Sequence, residues 1–305
     1  MVSEGCERCY AMRQAHRFSG VGQPYEGLTE LGPHGPRWTG KIRLIPELLD
    51  GPLRWKKPRR VFVNSMSDLF HEEVPNQFID QVFAVMAIAK QHSFQLLTKR
   101  PRRMLAYFRS LRECPSRRLY ESIRGMFQYT GHTGQLGPED TIPTHLRLPL
   151  PNVWLGVSVE DQQTADERIP ILLQTPAAVR WISAEPLLGP VDLRRLAFAH
   201  YLNMPVINKI DWVVIGGESG PRARPCDLSW IRTITDQCRT ENVPVFTKQL
   251  GSRPYVVDGS RTAQEWGADG ATAIMDDCGG IHCKDTKGGD MAEWPNDLRV
   301  REWPR

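Results

Sequence analysis

Residues 211–220 read Asp-Trp-Val-Val-Ile-Gly-Gly-Glu-Ser-Gly, an apolar run that changes abruptly into glycines and an acid. A continuous run of β-branched and aromatic residues is typical of a strand that is buried on both faces, as strands of parallel sheets are. The glycines and Glu218 then end the strand in a polar turn. A helical stretch over residues 229–239 follows, so this segment predicts one strand–turn–helix unit.

The same order of strand, polar strand end and helix recurs along the chain. The other predicted strands lie at residues 60–64, 93–97, 152–157, 179–182 and 243–246. Six such units predict an α/β fold, a partial (β/α) TIM-like barrel in which functional residues collect at the carboxyl ends of the strands. A doubly wound open sheet would give a similar pattern and stays open as an alternative.

Three stretches fall outside this repeat. Residues 112–150 and 190–210 are predicted insertions, and from about residue 252 the strand pattern stops. We therefore expect a barrel-like domain over residues 1–251 that carries both insertions, and an irregular C-terminal lobe over residues 252–305.

Composition limits the class of protein. The 305 residues are 40% hydrophobic and 24% charged, as is usual for a soluble globular protein. No apolar run approaches the ~20 residues of a membrane span, and no basic-then-apolar leader opens the chain. We expect a cytoplasmic location and no membrane partner. Without a secretion signal, the seven cysteines favour reduced thiols or metal ligands over a disulfide framework.

Positive charge is unevenly placed along a chain whose net charge is only +4. Basic clusters occur at residues 56–60 and 99–103 and at Arg222 and Arg224. Such clusters suit contacts to phosphates, so DNA or a nucleotide is an expected partner. The alternative is that each cluster is simply a solvated surface.

Two cysteines, Cys6 and Cys9, stand three residues apart where a helix begins. A pair with this spacing can supply two thiolates to a metal ion or cluster, or form a redox disulfide. Half a zinc site would need a second pair, which Cys278 and Cys283 could supply. Nothing else in the chain supports a thioredoxin-like domain.

Polar residues at the predicted strand ends are the candidate site residues. They are Ser65, Ser67, Asp68, Lys99, Ser158, Glu160, Glu185, Glu218 and Lys248. Carboxylates and cations on several strands would suit a zwitterionic cofactor and a phosphate-bearing substrate. Asp68 and Glu160 could instead cap helices, and Glu185 and Glu218 could form ion pairs with Arg100 or Lys248. A hydrolase that uses two of the three glutamates as an acid–base pair also stays open.

Several long motifs resemble a family of phage and prophage proteins of largely unassigned function that carry three cysteines near the N-terminus. The motifs are the opening Gly5–Arg13 and residues 62–71, 97–101, 154–160, 183–189, 216–220 and 246–249. That family looks like a relative of radical S-adenosylmethionine enzymes, in particular of the spore photoproduct lyase type. The resemblance covers nearly all of residues 1–251.

The resemblance implies a [4Fe-4S] cluster that binds S-adenosylmethionine, which is cleaved to a 5′-deoxyadenosyl radical. Cys6 and Cys9 would be cluster ligands. The family's first cysteine and first barrel strand are expected upstream of Met1, the alternative being that this version of the protein has lost them. Cofactor contacts would come from Ser65, Ser67 and Asp68 to the amino group and from Ser158 and Glu160 to the ribose.

Glu185, Glu218, Lys99 and Lys248 would then be the catalytic candidates. The implied activity is modification of nucleic-acid bases in the host cytoplasm. The alternatives are a non-catalytic nucleic-acid-binding or zinc-binding phage protein, or the hydrolase considered above.

Overall fold

A computed structural model describes residues 2–33, 35–112, 115–130, 147–195, 206–256, 274–276 and 279–304. Within these ranges no helix is long and apolar enough to cross a membrane. The two predicted insertions are described in part: residues 131–146 and 196–205 lie outside the described residues.

The strands fall into one large sheet and three two-stranded sheets. In chain order they are β1 (Thr29–Gly32), β2 (Gly35–Trp38), β3 (Arg60–Val63), β4 (Ser93–Thr98), β5 (Val153–Val159), β6 (Val179–Ala184), β7 (Trp212–Gly216), β8 (Cys226–Asp227), β9 (Val245–Gln249), β10 (Pro254–Tyr255), β11 (Ile274–Met275) and β12 (Ile281–His282). The six-stranded sheet is parallel and has the order β3-β4-β5-β6-β7-β9.

Helices separate most of the strands of the large sheet. They are α1 (Tyr10–Arg17), α2 (Gly51–Arg54), α3 (Asn76–Ile88), α4 (Pro101–Leu111), α5 (Pro115–Thr130), α6 (Gln162–Gln174) and α7 (Leu228–Thr240). Short 3-10 turns lie at Glu4–Cys6, Pro46–Leu48, Val206–Lys209, Met291–Glu293 and Asn296–Leu298.

The strand order decides between the two predicted topologies. Doubly wound sheets reverse their strand order at a switch point, whereas here the six strands follow one another across the sheet in chain order. The predicted mixed α/β fold is confirmed, with the connectivity of a partial β/α barrel. All six predicted strands are present within two or three residues of their expected bounds.

The helices form where apolar residues recur at helical spacing. In α3, Ile79, Val82, Phe83 and Met86 are buried, and the helix begins directly after Pro75, whose backbone is extended. This is the apolar face that the sequence predicts. The C-terminal region differs from expectation, because three two-residue strands lie beyond residue 252 where none was predicted.

The chain divides into two compact units. The cysteine unit comprises Met1–Tyr10, Val157–Pro170 and Arg180–Arg305, and the hairpin unit comprises Ala11–Gly156 and Ile171–Val179. The hairpin unit takes its name here from the antiparallel pair β1 and β2. Candidate site residues occur in both units, and each set is described within its own unit.

The end of the chain covers one edge of the large sheet in the cysteine unit. The backbone N–H of Thr247 donates to Val300 O at 2.9 Å, and Phe246 pairs with Arg301 in an antiparallel bridge. The Trp303 ring stacks on Trp212 with centroids 4.8 Å apart. The last residues of the expected irregular lobe therefore extend the sheet beyond β9.

Candidate functional site

The cysteine pair lies on a short turn at the start of α1. Cys6 ends the 3-10 turn Glu4–Cys6, and Cys9 directly precedes the helix. The Cys9 backbone N–H donates to Cys6 O at 3.4 Å, and both side chains are half-buried. The turn thus presents two thiols on one short segment.

Two hydrogen bonds fix this turn within the cysteine unit. Ser3 Oγ donates to Glu160 Oε1 at 2.9 Å, and Arg8 Nη1 donates to the backbone oxygen of Arg222 at 2.5 Å. Glu160 directly follows β5, and Arg222 lies in the loop that follows β7. The segment that carries both cysteines is therefore held at the carboxyl ends of two parallel strands, where β/α proteins place their functional residues.

Glu160 is held from the other side by a buried arginine of α6. Arg168 Nη1 donates to Glu160 Oε2 at 3.0 Å and to the backbone oxygen of Ser158 at 2.8 Å. The two side chains are 3% and 1% exposed. Glu160 thereby joins the Ser3 hydroxyl to α6. Asp161, rather than Glu160, caps α6 by accepting from the Thr164 backbone N–H at 2.8 Å.

Glu185 and Lys248 form an ion pair between the ends of β6 and β9. Lys248 Nζ lies 2.9 Å from both carboxylate oxygens of Glu185, and Gln249 Nε2 donates to Glu185 Oε1 at 3.3 Å. The carboxylate is mostly covered, whereas the lysine side chain is 54% exposed. Of the two ion-pair partners considered for Glu185, Arg100 and Lys248, the structure places Lys248 next to it.

Glu218 forms a two-pronged ion pair with Arg224 in the loop that follows β7. Arg224 donates from Nη2 to Oε1 at 2.7 Å and from Nε to Oε2 at 2.9 Å. Burial alone would raise the pKa of Glu218, but the hydrogen bonds and charge of Arg224 outweigh burial and hold this pKa below 4.5. Arg8 of the cysteine turn lowers the same pKa through its charge, so the turn and this loop are electrostatically linked.

This ion pair predicts a pH-dependent contribution to stability. Because the pKa of Glu218 is lower in the folded than in the unfolded chain, the pair stabilises the fold above pH 4.5 and loses that effect as the pH falls through the folded value. We expect Arg224→Gln to be less stable than the wild type at neutral pH, with the difference shrinking as the pH falls below 4.5. Urea unfolding across this pH range measures the difference.

The control for this prediction is Arg253→Gln, which removes the same charge from an exposed position. Its stability difference from the wild type should be small and change little with pH. A difference for Arg224→Gln that is constant from neutral to acidic pH would contradict the assigned role of Glu218.

In the hairpin unit, Asp68 is the centre of a separate network at the end of β4. Its carboxylate accepts from Thr98 Oγ1 at 2.8 Å, from the Lys99 backbone N–H at 3.1 Å and from Arg100 Nη1 at 3.2 Å. It also accepts from the Phe70 backbone N–H at 3.0 Å. With four protein donors, Asp68 has little accepting capacity left for a cofactor.

The other candidates of this unit lie around Asp68. Ser65 and Ser67 are exposed in the turn that follows β3, and Lys99 is half-buried. The turn begins at Asn64, whose φ of 59° is the left-handed conformation that Asn tolerates better than most residues. Contacts of these three residues with S-adenosylmethionine stay a prediction.

The three described cysteines outside the turn all have raised thiol pKa values. Burial raises the pKa of Cys226 and that of Cys238 to about 12, which keeps both thiols protonated at neutral pH. Burial likewise raises the pKa of Cys283 to about 11. Cys278, its predicted partner in a second pair, lies outside the described residues, as does Cys114. In the described ranges, no three His, Cys, Asp or Glu side chains form a group that could hold a metal ion.

The sequence does not predict the contacts that hold the site together, which are made by Ser3, Arg8, Arg168 and Arg224. Arg224 is predicted as part of a basic cluster suited to phosphates, but it pairs with Glu218. Only Arg168 leaves a signal, because it shares a helical stripe with Ala165, Ile169 and Leu172, which are all buried. A charge on an apolar stripe indicates a buried partner. The other three lie in irregular segments, where spacing carries no information about contacts.

Comparison with known proteins gives one result at the level of the family. The family described as "Protein of unknown function (DUF5131)" matches residues 1–275. Neither the curated proteins nor the solved structures gave a match. Since the match covers most of the chain, the protein belongs to the DUF5131 family.

Proposed function

We propose that this protein is an iron–sulfur enzyme of the radical S-adenosylmethionine type that modifies nucleic-acid bases, encoded by a phage or prophage. One observation carries the proposal: the Cys6–Cys9 turn is anchored by Ser3 and Arg8 to segments that follow β5 and β7. A turn held in this way presents thiolates at the edge of the sheet where β/α enzymes carry out their chemistry.

The described residues fit the implied cluster only in part. Two thiolates from one turn have the right chemical character for iron, but they are one fewer than the three cysteines that the resemblance implies. No histidine, cysteine or carboxylate of the described chain completes a group of three with them. The chain's own side chains, by contrast, have contacts from which roles can be inferred.

Some of these side chains hold the cysteine turn in place, and others are placed to contact a ligand. Glu160 and Arg168 are almost fully buried and hold the turn through Ser3. Lys248 is more than half exposed next to the covered Glu185 carboxylate. An exposed cation backed by a fixed anion suits a ligand that carries both a carboxylate or phosphate and an ammonium group. Lys248 and Glu185 are thus the proposed contacts to a zwitterionic cofactor.

The hydrolase alternative has less support. A general acid must hold its proton near neutral pH, whereas each of the three glutamates faces a cation at 2.7–3.0 Å. For Glu218, the hydrogen bonds and charge of Arg224 hold the pKa below 4.5, against the effect of burial. The arrangement accordingly suits positioning and charge binding better than acid–base hydrolysis of a glycosidic bond.

The direct test is anaerobic reconstitution, with ferrous iron and sulfide, of the protein with the third cysteine that the resemblance implies restored upstream of Met1. We expect visible absorbance typical of a thiolate-bound cluster, iron bound to the protein, and release of 5′-deoxyadenosine from S-adenosylmethionine after reduction. Cys6→Ala and Cys9→Ala should each lose most of the absorbance and iron, because each variant removes a ligand. Cys283→Ala, at another half-buried cysteine, should keep both signals.

Three results would contradict the proposal. One is a reconstituted chain without visible absorbance, and another is iron binding that survives the double change Cys6→Ala and Cys9→Ala. The third is stoichiometric zinc that depends on both cysteines while no iron binds, which would favour the zinc-binding alternative.

A further inference from the structure

The loop at residues 55–60 of the hairpin unit combines positive charge with an aromatic ring. Lys56, Lys57 and Arg59 are exposed, and none of them forms an ion pair with a described residue. The Arg59 guanidinium lies 4.7 Å from the centre of the Trp55 ring. Residues 11–60 contain ten basic and four acidic side chains, so this segment is more positive than the chain's net charge of +4.

A buried histidine fixes the shape of this loop. His92 is 1% exposed, and its Nδ1 accepts from the Arg59 backbone N–H at 3.1 Å. Its Nε2 lies 3.0 Å from the backbone oxygen of Pro52, to which it donates in this tautomer. The Trp55 ring packs edge-on against the imidazole, with centroids 5.6 Å apart. His92 thus joins Arg59 of the basic loop to α2, the helix that precedes the loop.

The strand that follows continues the same combination of charge and aromatic surface. Arg60 and Phe62 are both exposed on β3, and their spacing of two puts them on one face of the strand. Phe62 is 44% exposed, which is unusual for a phenylalanine within a sheet.

Next to Phe62 lies an amide with an unmade hydrogen bond. The parallel register pairs Phe62 with Gln95 of β4, so both side chains lie on this face. Gln95 is 7% exposed, and its Nε2 has no hydrogen-bond partner among the described residues. Because Nε2 itself is covered, the surface that a ligand can reach on this face is that of Arg60 and Phe62.

We propose that the basic loop and the exposed face of β3 form a docking surface for single-stranded nucleic acid. Lys56, Lys57 and Arg59 contact successive phosphates, and the Phe62 ring stacks on a base. Charge selects a polyanion, and the exposed ring favours a single strand because the bases of a duplex are already stacked on one another. The fixed loop lowers the ordering cost of binding.

This inference rests on the proposed function for the identity of the substrate, but it is tested by binding alone. The probe is a fluorescein-labelled oligothymidylate, and its anisotropy is followed at several salt concentrations. We expect the triple variant Lys56→Ala, Lys57→Ala, Arg59→Ala to bind about 30-fold more weakly near 0.1 M salt. The slope of log Kd against log salt should fall by about 2, because three phosphate contacts are lost.

A charge-matched control separates the surface from net charge. The triple variant Lys209→Ala, Lys284→Ala, Lys287→Ala removes three exposed cations elsewhere, and its affinity should fall by less than about threefold. Phe62→Leu keeps an apolar side chain but removes the ring. We expect about tenfold weaker binding of the oligonucleotide with an unchanged salt slope.

Equal losses in the two triple variants would overturn the docking surface. Tighter binding of a matched duplex or of heparin than of the oligonucleotide, with no effect of Phe62→Leu, would replace it with a general polyanion site. Because apo protein suffices for these measurements, nucleic-acid binding can fail while cluster formation at Cys6 and Cys9 succeeds, and the reverse.

Discussion

Arg168→Met is expected to destabilise the protein by about 3–5 kcal/mol, because it leaves the buried Glu160 carboxylate without its cation. Glu160 would keep the Ser3 hydroxyl at 2.9 Å but lose the guanidinium at 3.0 Å. The backbone oxygen of Ser158 would lose the same donor. Urea unfolding of the wild type and the variant at neutral pH measures the loss.

The cost of a buried unpaired charge is separable from the value of the pair. Glu160→Gln combined with Arg168→Met removes both charges and keeps an acceptor for Ser3, so the double variant should be more stable than Arg168→Met alone. Arg37→Met makes the same substitution in an ion pair whose side chains are 63% and 50% exposed. Its cost should stay below about 1 kcal/mol.

Two outcomes would contradict this account of Arg168. A loss for Arg168→Met no larger than that for Arg37→Met would mean that Glu160 is not effectively desolvated. A double variant as unstable as the single one would place the cost in packing of the arginine stem rather than in the charge of Glu160.

The large sheet could be predicted because its strands are long apolar runs. Residues 212–216 and 153–159 carry enough β-branched and aromatic side chains to indicate buried strands without knowledge of their neighbours. The short hairpin of β1 and β2 could not be predicted in the same way. Both strands contain glycine, and their residues are mostly exposed or half-buried, so neither alternation nor an apolar run marks them.

The positions of the candidate site could be predicted, but its pairings could not. Parallel strands end at one edge of a sheet, so Glu185, Glu218 and Lys248 were expected near one another. Which cation each acid meets depends on loops: Arg224 reaches Glu218 from six residues away, and Ser3 reaches Glu160 from 157 residues away. Contacts made by loops depend on the folded backbone, so no periodic pattern in the sequence predicts them.

The structure of the C-terminal segment could not be predicted from its sequence either. Residues 300–303 read Val-Arg-Glu-Trp, which is too short and too polar for a strand prediction. The segment is nevertheless fixed by backbone bonds to β9 and by Trp303 on Trp212. A sheet edge supplies the unpaired backbone groups that order such a segment, so its structure depends on its neighbour more than on its own sequence.

The second large effect is expected for Gly217→Ala, at the turn that precedes Glu218. A Cβ at this position would lie 2.2 Å from the backbone oxygen of Leu250 and 2.8 Å from its carbonyl carbon. Backbone atoms cannot rotate away as a flexible side chain does, so the loop that follows β9 would have to move. We expect a loss of about 3 kcal/mol in the free energy of unfolding, measured in urea.

The displaced loop connects this effect to the candidate site. The Ser252 backbone N–H donates to Glu218 O at 2.8 Å, and the Gly217 N–H donates to Gln249 O at 3.1 Å. Moving the two loops apart strains both bonds and the adjoining Glu218–Arg224 pair. Gly217→Ala should therefore also weaken the pH dependence assigned to Glu218.

The matched control for this prediction is Gly125→Ala on α5, where a new Cβ would meet nothing within 4 Å. Because alanine is the better helix former, this change should be neutral or stabilise the protein by up to about 1 kcal/mol. If Gly217→Ala lowers the free energy of unfolding while Gly125→Ala does not, the loss at Gly217 comes from close packing of two backbones. Equal small effects would show that the loop after β9 yields easily, and close packing of the two backbones would then not explain the position of Glu218.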